Sequence, residues 1–301
     1  MTHERTEPPR GSDDAPSIAN LDVVALALRL TVLALMLRPI GDWMLRPTIL
    51  GLAASVLIFP SLLLNPKLWG TLTALTGLRV AVEWQLADNH AYLLCYWCLA
   101  VTLALVSRDP RACLALNGRL LIGWAFAFAT LWKLLSPDYL DGRFFRVTLL
   151  IDPRFAGFAQ LAGGLAPEQF EDLSVFVRQH IDVPSLDLPQ PPVEPQRFRW
   201  LAWMLTWWTV GIEGITAAAF LWPVDRGISR LRHILLLVFC ATTYAVATVA
   251  GFGWLLLAMG VAQCDVRYHL FPSWYLLAFG LILLYRDLPW AEWLLRFFSV
   301  G

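Results

Sequence analysis

Residues 118–142, GRLLIGWAFAFATLWKLLSPDYLDG, decide the fold class. They close an apolar run, residues 113–135, that is long enough to cross a bilayer as one helix, since about 30 Å of hydrocarbon takes about 20 residues. Serine, proline and aspartate then end the run. A soluble helix of this composition would have to be apolar on every face, which a small soluble protein has no core large enough to hide.

Working outward, runs of the same kind cover residues 21–38, 48–64, 68–86 and 91–107 before it, and 200–222, 231–264 and 272–285 after it. The stretch 231–264 is too long for one span at ordinary tilt. Gly251 and Gly253 mark its expected break, so it counts as two. Residues 289–300 are too short for a confident span and are expected to lie in the interface. The fold class is therefore all-α: a polytopic integral membrane bundle of about eight or nine transmembrane helices. Composition agrees, with 58% hydrophobic and only 15% charged residues in a chain of 301. The fifteen tryptophans suit membrane interfaces, and the nineteen prolines are tolerated in spans. A formal net charge of zero gives no electrostatic case for nucleic acid as a partner. The lipid bilayer is the expected partner.

Residues 1–20 are polar and proline-bearing, and read as a disordered tail ahead of a membrane domain covering 21–301. Residues 136–199 form the sizeable extramembrane piece. Within it, residues 167–181 place Phe170, Leu173, Phe176, Val177 and Ile181 on one face, as in an amphipathic helix lying on the membrane or against the bundle. A proline-rich connector follows. Arg108, Arg111, Arg226, Arg230 and Arg232 mark the cytoplasmic loops, while the loop at Asp88–His90 lacks Lys and Arg. The N-terminus is then cytoplasmic and residues 136–199 lie outside. Arg38 and Arg46 also fall outside, against the charge rule. Cys95 and Cys98 form a C-x-x-C inside an apolar run and read as helix filler.

Ionisable groups within spans cost several kcal/mol unless paired, and so mark candidate sites. Arg79 and Glu83 share a helical face as a self-neutralising i,i+4 pair or as a polar site. His90 follows Asp88 and Asn89 at a helix start, where capping is the plain alternative to a site. Lys133 is either a snorkelling anchor or, flanked by Trp132 and Leu134, a base. Glu213, near the middle of TWWTVGIEGITAAAFLW (206–222), has no route to water and must be protonated, paired or at a polar cavity. His233 is a less costly charge near the cytoplasmic edge. No metal site is expected.

Three segments in this order resemble the membrane domain of the vitamin K-dependent γ-carboxylases and their bacterial relatives, the horizontally transferred transmembrane (HTTM) domain proteins. They are DNHAYLL (88–94), WAFAFATLWKLLSPDYLDGRFF (124–145), and Glu213 followed by Pro223, basic residues and His233. The likeness spans residues 21–285. It implies a bacterial cytoplasmic-membrane protein in which Lys133 is the catalytic base and His90 its neighbour, both at the outer face. Glu213, His233, Arg79 and Glu83 are the accompanying binding candidates. It also implies a reduced quinone as cofactor and a peptide or further membrane subunits as partners, none of which the residues alone name. The departures are definite. The large extramembrane C-terminal region of the carboxylases has no counterpart before Gly301. Thr130 stands where a small residue is expected, and Trp132 replaces the second lysine of the carboxylase pair. The resemblance therefore implies the fold and not carboxylation of glutamate. Two functions follow as expectations: a quinone- or peptide-modifying enzyme with a Lys base, or a non-catalytic accessory subunit of a membrane complex. A transporter is disfavoured because no inverted repeat is visible.

Overall fold

In the computed structural model, residues 23–38, 40, 41, 43–84, 88–180, 192–246, 249–288, 293, 294 and 297 are described. The expected tail at 1–20, most of the connector and most of 289–300 lie outside them. The described residues are α-helical with short 3-10 turns and no strand. The helices are α1 (Val23–Leu37), α2 (Arg46–Ile58), α3 (Pro66–Val82), α4 (Asn89–Val106), α5 (Pro110–Leu135), α6 (Pro137–Leu140), α7 (Arg143–Ile151), α8 (Ala156–Gly163), α9 (Pro167–His180), α10 (Gln196–Leu221), α11 (Arg232–Tyr244), α12 (Ala250–Ala262) and α13 (Phe271–Asp287).

Local chemistry sets the boundaries. Asn65, Asp88 and Asp109 cap α3, α4 and α5 by accepting from Lys67, Ala91 and Ala112 N–H groups, each at 2.9 Å. Proline opens α2, α3, α5 and α6, where its missing N–H costs nothing. Pro60 also ends α2 before the expected limit of that apolar run, and residues 60–64 wind into a 3-10 turn instead. The break expected at Gly251 and Gly253 comes just before them, between Tyr244 and Ala250.

Among the described helices, α4, α5 and α10 are long and apolar enough to cross a membrane, by length and composition. Shorter apolar helices cover Val23–Leu37, Arg46–Ile58, Gly251–Ala262 and Phe271–Tyr285. One core joins α1 to α5 and α10 to α13, with Trp69, Trp97, Trp254, Tyr275 and Phe126 fully buried. Trp97 Nε1 donates to Thr31 Oγ1 at 2.9 Å and so joins α4 to α1 without leaving a buried N–H unpaired.

Residues 136–199 are more than a loop carrying one helix. Helices α7 to α9 fold there with the start of α10 around a second core of Leu149, Leu150, Phe155, Leu165, Leu173 and Phe198. The apolar face of α9 packs on α7 and α8. Phe170 and Leu173 are its buried anchors.

Helices α5 and α6 run antiparallel to α10, and their meeting points form a consistent ladder. A Cβ at Gly123 would stand 2.7 Å from Leu221, one at Gly214 3.4 Å from Thr130, and one at Gly142 3.6 Å from the Trp203 backbone. Glycine lets the helices approach closely at the first two positions. At Gly142 it also supplies φ +81°, which a side chain rarely adopts. This register carries the ends of α5 and α6 to the middle of α10.

Candidate functional site

Lys133 lies in the last turn of α5, and the register sets it beside Glu213 on α10. Its Nζ donates to Glu213 Oε2 in a salt bridge, with the two side chains 18% and 11% exposed. Ser136 and Pro137 end α5 directly afterwards, so the one-turn helix α6 folds back over the amine. Tyr139 from α6 sets its ring 5.5 Å from Lys133 Nζ, within cation–π range. The Tyr139 hydroxyl lies 2.7 Å from Thr209 Oγ1. Thr209 already has Leu205 and Thr206 carbonyls within 3.0 Å to take its one proton, so Tyr139 is the donor of that bond. Burial pushes the Tyr139 phenol well above its ordinary pKa, which keeps it protonated as a donor. One turn before Lys133, Thr130 Oγ1 is buried without a hydrogen-bond partner. Chemically, the pair holds one proton between an amine and a carboxylate in a nearly dry site. From that state the carboxylate can take a proton from a substrate and the ammonium can give one up.

His90 and Arg79 meet elsewhere. They line a cavity of about 160 Å³ together with Arg38, Arg46 and Asp88. His90 Nδ1 is 3.5 Å from Asp88 Oδ2, in ion-pair range but outside hydrogen-bond geometry, and its ring packs on Phe252 at 4.5 Å. The imidazole beside it holds the Asp88 carboxyl well below the usual carboxylate range. Arg79 Nε donates to Glu83 Oε2 at 3.1 Å, the expected i,i+4 pair. Among the described residues no hydrogen bond or ion pair joins Lys133 to His90, and Lys133 does not line this cavity.

His233 lies apart again, fully buried at the start of α11, with Nδ1 2.7 Å from the Tyr275 hydroxyl and Tyr268 and Phe271 against its ring. Cys95 and Cys98 are free thiols in α4, with Cys98 in the core. Two residues escaped the sequence reading. Tyr139 and Thr209 complete the Lys133 site, and Thr209 lies one helical turn before Glu213, a spacing that could have flagged it. Arg38 and Arg46 drew notice only by breaking the charge rule, and both line the His90 cavity.

No family model, curated protein or solved structure matches this chain.

Proposed function

We propose that this chain is a polytopic integral membrane protein of the HTTM kind, with eight or nine transmembrane helices in a bacterial cytoplasmic membrane and a cytoplasmic N-terminus. Its Lys133–Glu213 pair is the acid–base centre of an enzyme that acts at the outer face on a lipid quinone or a peptide. The pair itself carries this reading: two ionisable groups from distant spans share one proton in an apolar wall, at the lysine that the HTTM resemblance singles out. Exposed aromatic residues along the same helices, Trp124, Phe128 and Trp132 on α5 and Trp200, Trp207 and Trp208 on α10, support a lipid-facing surface.

The residues around the pair fit a reduced quinone in donor chemistry. Thr130 Oγ1 is a buried group still wanting a partner, and the Glu213 carboxylate, paired with the Lys133 ammonium, is the proton acceptor at hand. A bound quinol would supply an acidic phenolic O–H and reducing electrons. The chain's own work is to orient and move protons. Glu213 and the Tyr139 ring hold the amine in place, and the Thr209–Tyr139 bond fixes that ring.

One observation favours the second reading, an accessory subunit of a membrane complex: Glu213 neutralises Lys133 within the chain, as a purely structural brace would. Photolabelling with an azido-naphthoquinone in proteoliposomes separates the two. The enzyme reading expects label on the peptide holding Thr130 and Lys133, lost when excess naphthoquinone is added. Label confined to other helices would remove the quinone from this site.

A further inference from the structure

A second cavity, of about 370 Å³, opens at the other end of α5 from Lys133, walled by the starts of α5 and α11 and the end of α12. Arg111, Arg119 and Arg232 line it, with Gln263, Asp109 and Asp265. Its charge balance is unusual. Arg232 is 4% exposed, yet its recorded partners are the Ser229 carbonyl at 3.0 Å, the Tyr268 hydroxyl at 3.3 Å and the Tyr268 ring face. Its Nε is buried with no partner at all. Arg111 donates to the Cys264 carbonyl and Arg119 to the Trp222 carbonyl. Among the described residues none of the three guanidiniums lies within ion-pair distance of a carboxylate. The two acids on the wall are engaged elsewhere: Asp109 caps α5, and Asp265 accepts from Arg267 N–H and pairs with its guanidinium at 3.8 Å.

A buried cation without a counter-charge is costly, and three cations around one cavity compound the cost. An anion in the cavity would remove it. We propose that this cavity binds a phosphate ester whose neighbouring group carries a hydrogen-bond donor. Guanidiniums reaching it from different directions suit a tetrahedral oxyanion, which presents oxygens on several sides, better than a planar carboxylate. The volume exceeds a bare phosphate several-fold, given about 30 Å³ for a water, so it has room for the ester's substituent. The donor requirement comes from Gln263. That residue is 6% exposed, its Nε2 is committed to the Met259 carbonyl at 3.0 Å, and its Oε1 is buried without a partner. Only an O–H or N–H can satisfy that oxygen. Phosphoglycerol and phosphoethanolamine carry both features; phosphocholine lacks the donor. The site stands apart from the Lys133–Glu213 pair.

The ligand can come from a lipid headgroup or from a free phosphate ester, and two arms distinguish them. Delipidated protein in neutral detergent is mixed with glycerol 3-phosphate in one arm and with phosphatidylglycerol or phosphatidylcholine micelles in the other. Retained adducts are counted by native mass spectrometry. The expected result is retention of a donor-bearing probe over phosphatidylcholine, weakened about tenfold or more in Arg111→Gln and Arg119→Gln, because each loses a charge-assisted hydrogen bond. Retention of glycerol 3-phosphate assigns a soluble ester, and retention of phosphatidylglycerol alone assigns a lipid. These two arginines lie at the rim, so their variants keep the test valid if Arg232→Gln fails to fold. Retention of neither probe, equal retention of phosphatidylcholine, or undiminished retention in both variants would overturn the proposal.

Discussion

The amine of Lys133 on α5 reaches the carboxylate of Glu213 on α10, a partner 80 positions further along the chain. Neither residue is a stray charge in an apolar wall, since each supplies what makes the other tolerable there. This changes what a mutation at either position means. Lys133→Ala leaves a largely buried carboxylate alone, and breaking such a pair from one side costs on the order of 3–5 kcal/mol. We therefore expect Lys133→Ala to unfold at clearly lower temperature in detergent. Lys133→Met with Glu213→Gln, which removes both charges, should recover most of the loss. A single variant as stable as the wild type would mean that the pair is not formed.

Tyr139→Phe keeps the ring over the amine and removes the hydroxyl that donates to Thr209. The loss should be near 1 kcal/mol, the usual worth of one hydrogen bond, because Thr209 retains its helix carbonyls. Thermal unfolding of Tyr139→Phe, Thr209→Val and the double variant checks it. The two single effects should fail to add.

The packing of α5 on α10 predicts that Gly123→Val is poorly tolerated. Its Cβ alone would meet the Leu221 side chain at 2.7 Å and Phe220 Cβ at 3.3 Å. Overpacking of this kind costs about 1–3 kcal/mol. The measurement is again the unfolding temperature, with Gly51→Ala, where an added Cβ meets nothing within 4 Å, as the control.

Asp88 gives a pH dependence with a definite sign. Its folded pKa is depressed, chiefly by His90, so its stabilising contribution is present above the unfolded value near 4 and fades as pH falls through the lower folded value. Asparagine still caps α4, so Asp88→Asn isolates the loss of the charge. The gap in unfolding temperature between wild type and Asp88→Asn should be largest near pH 5, where a facing imidazole carries its charge and the carboxylate is still ionised, and should close as pH falls below about 4. A gap that persists unchanged well below pH 4 would contradict the assignment.

Much of this arrangement was legible in the sequence because long apolar runs leave few ways to fold. The expected runs at 91–107, 113–135 and 200–222 are the helices α4, α5 and α10, with ends set by Asp88, Asp109 and Pro137. Glu213 stood out because a carboxylate in mid-run demands a partner. Which partner was not legible: the register of α10 against α5 depends on glycine contacts at Gly123 and Gly214 that no local pattern encodes. The neighbourhood of Lys133 and His90, drawn from resemblance and topology, has no hydrogen bond or ion pair among the described residues, where the partner of Lys133 is Glu213. Helices α7 and α8 were missed because RFFRVTLLI and AGFAQLAG are too short for a span, and their burial comes from a second core that forms only when α7, α8, α9 and α10 meet.

The central claim is that the Lys133–Glu213 pair moves protons for chemistry on a substrate. Its most direct measurement is the rate of naphthoquinol consumption, above the protein-free rate and with dissolved O₂ as the oxidant, by proteoliposomes holding wild-type protein, Lys133→Arg or Glu213→Gln, each confirmed folded by its unfolding transition. The account predicts consumption by the wild type and its near-complete loss in Lys133→Arg, since a guanidinium keeps the salt bridge and gives up no proton near neutral pH. Glu213→Gln should lose it as well. Consumption undiminished in Lys133→Arg, or none by the wild type, would contradict the claim and leave the pair as a brace in an accessory subunit.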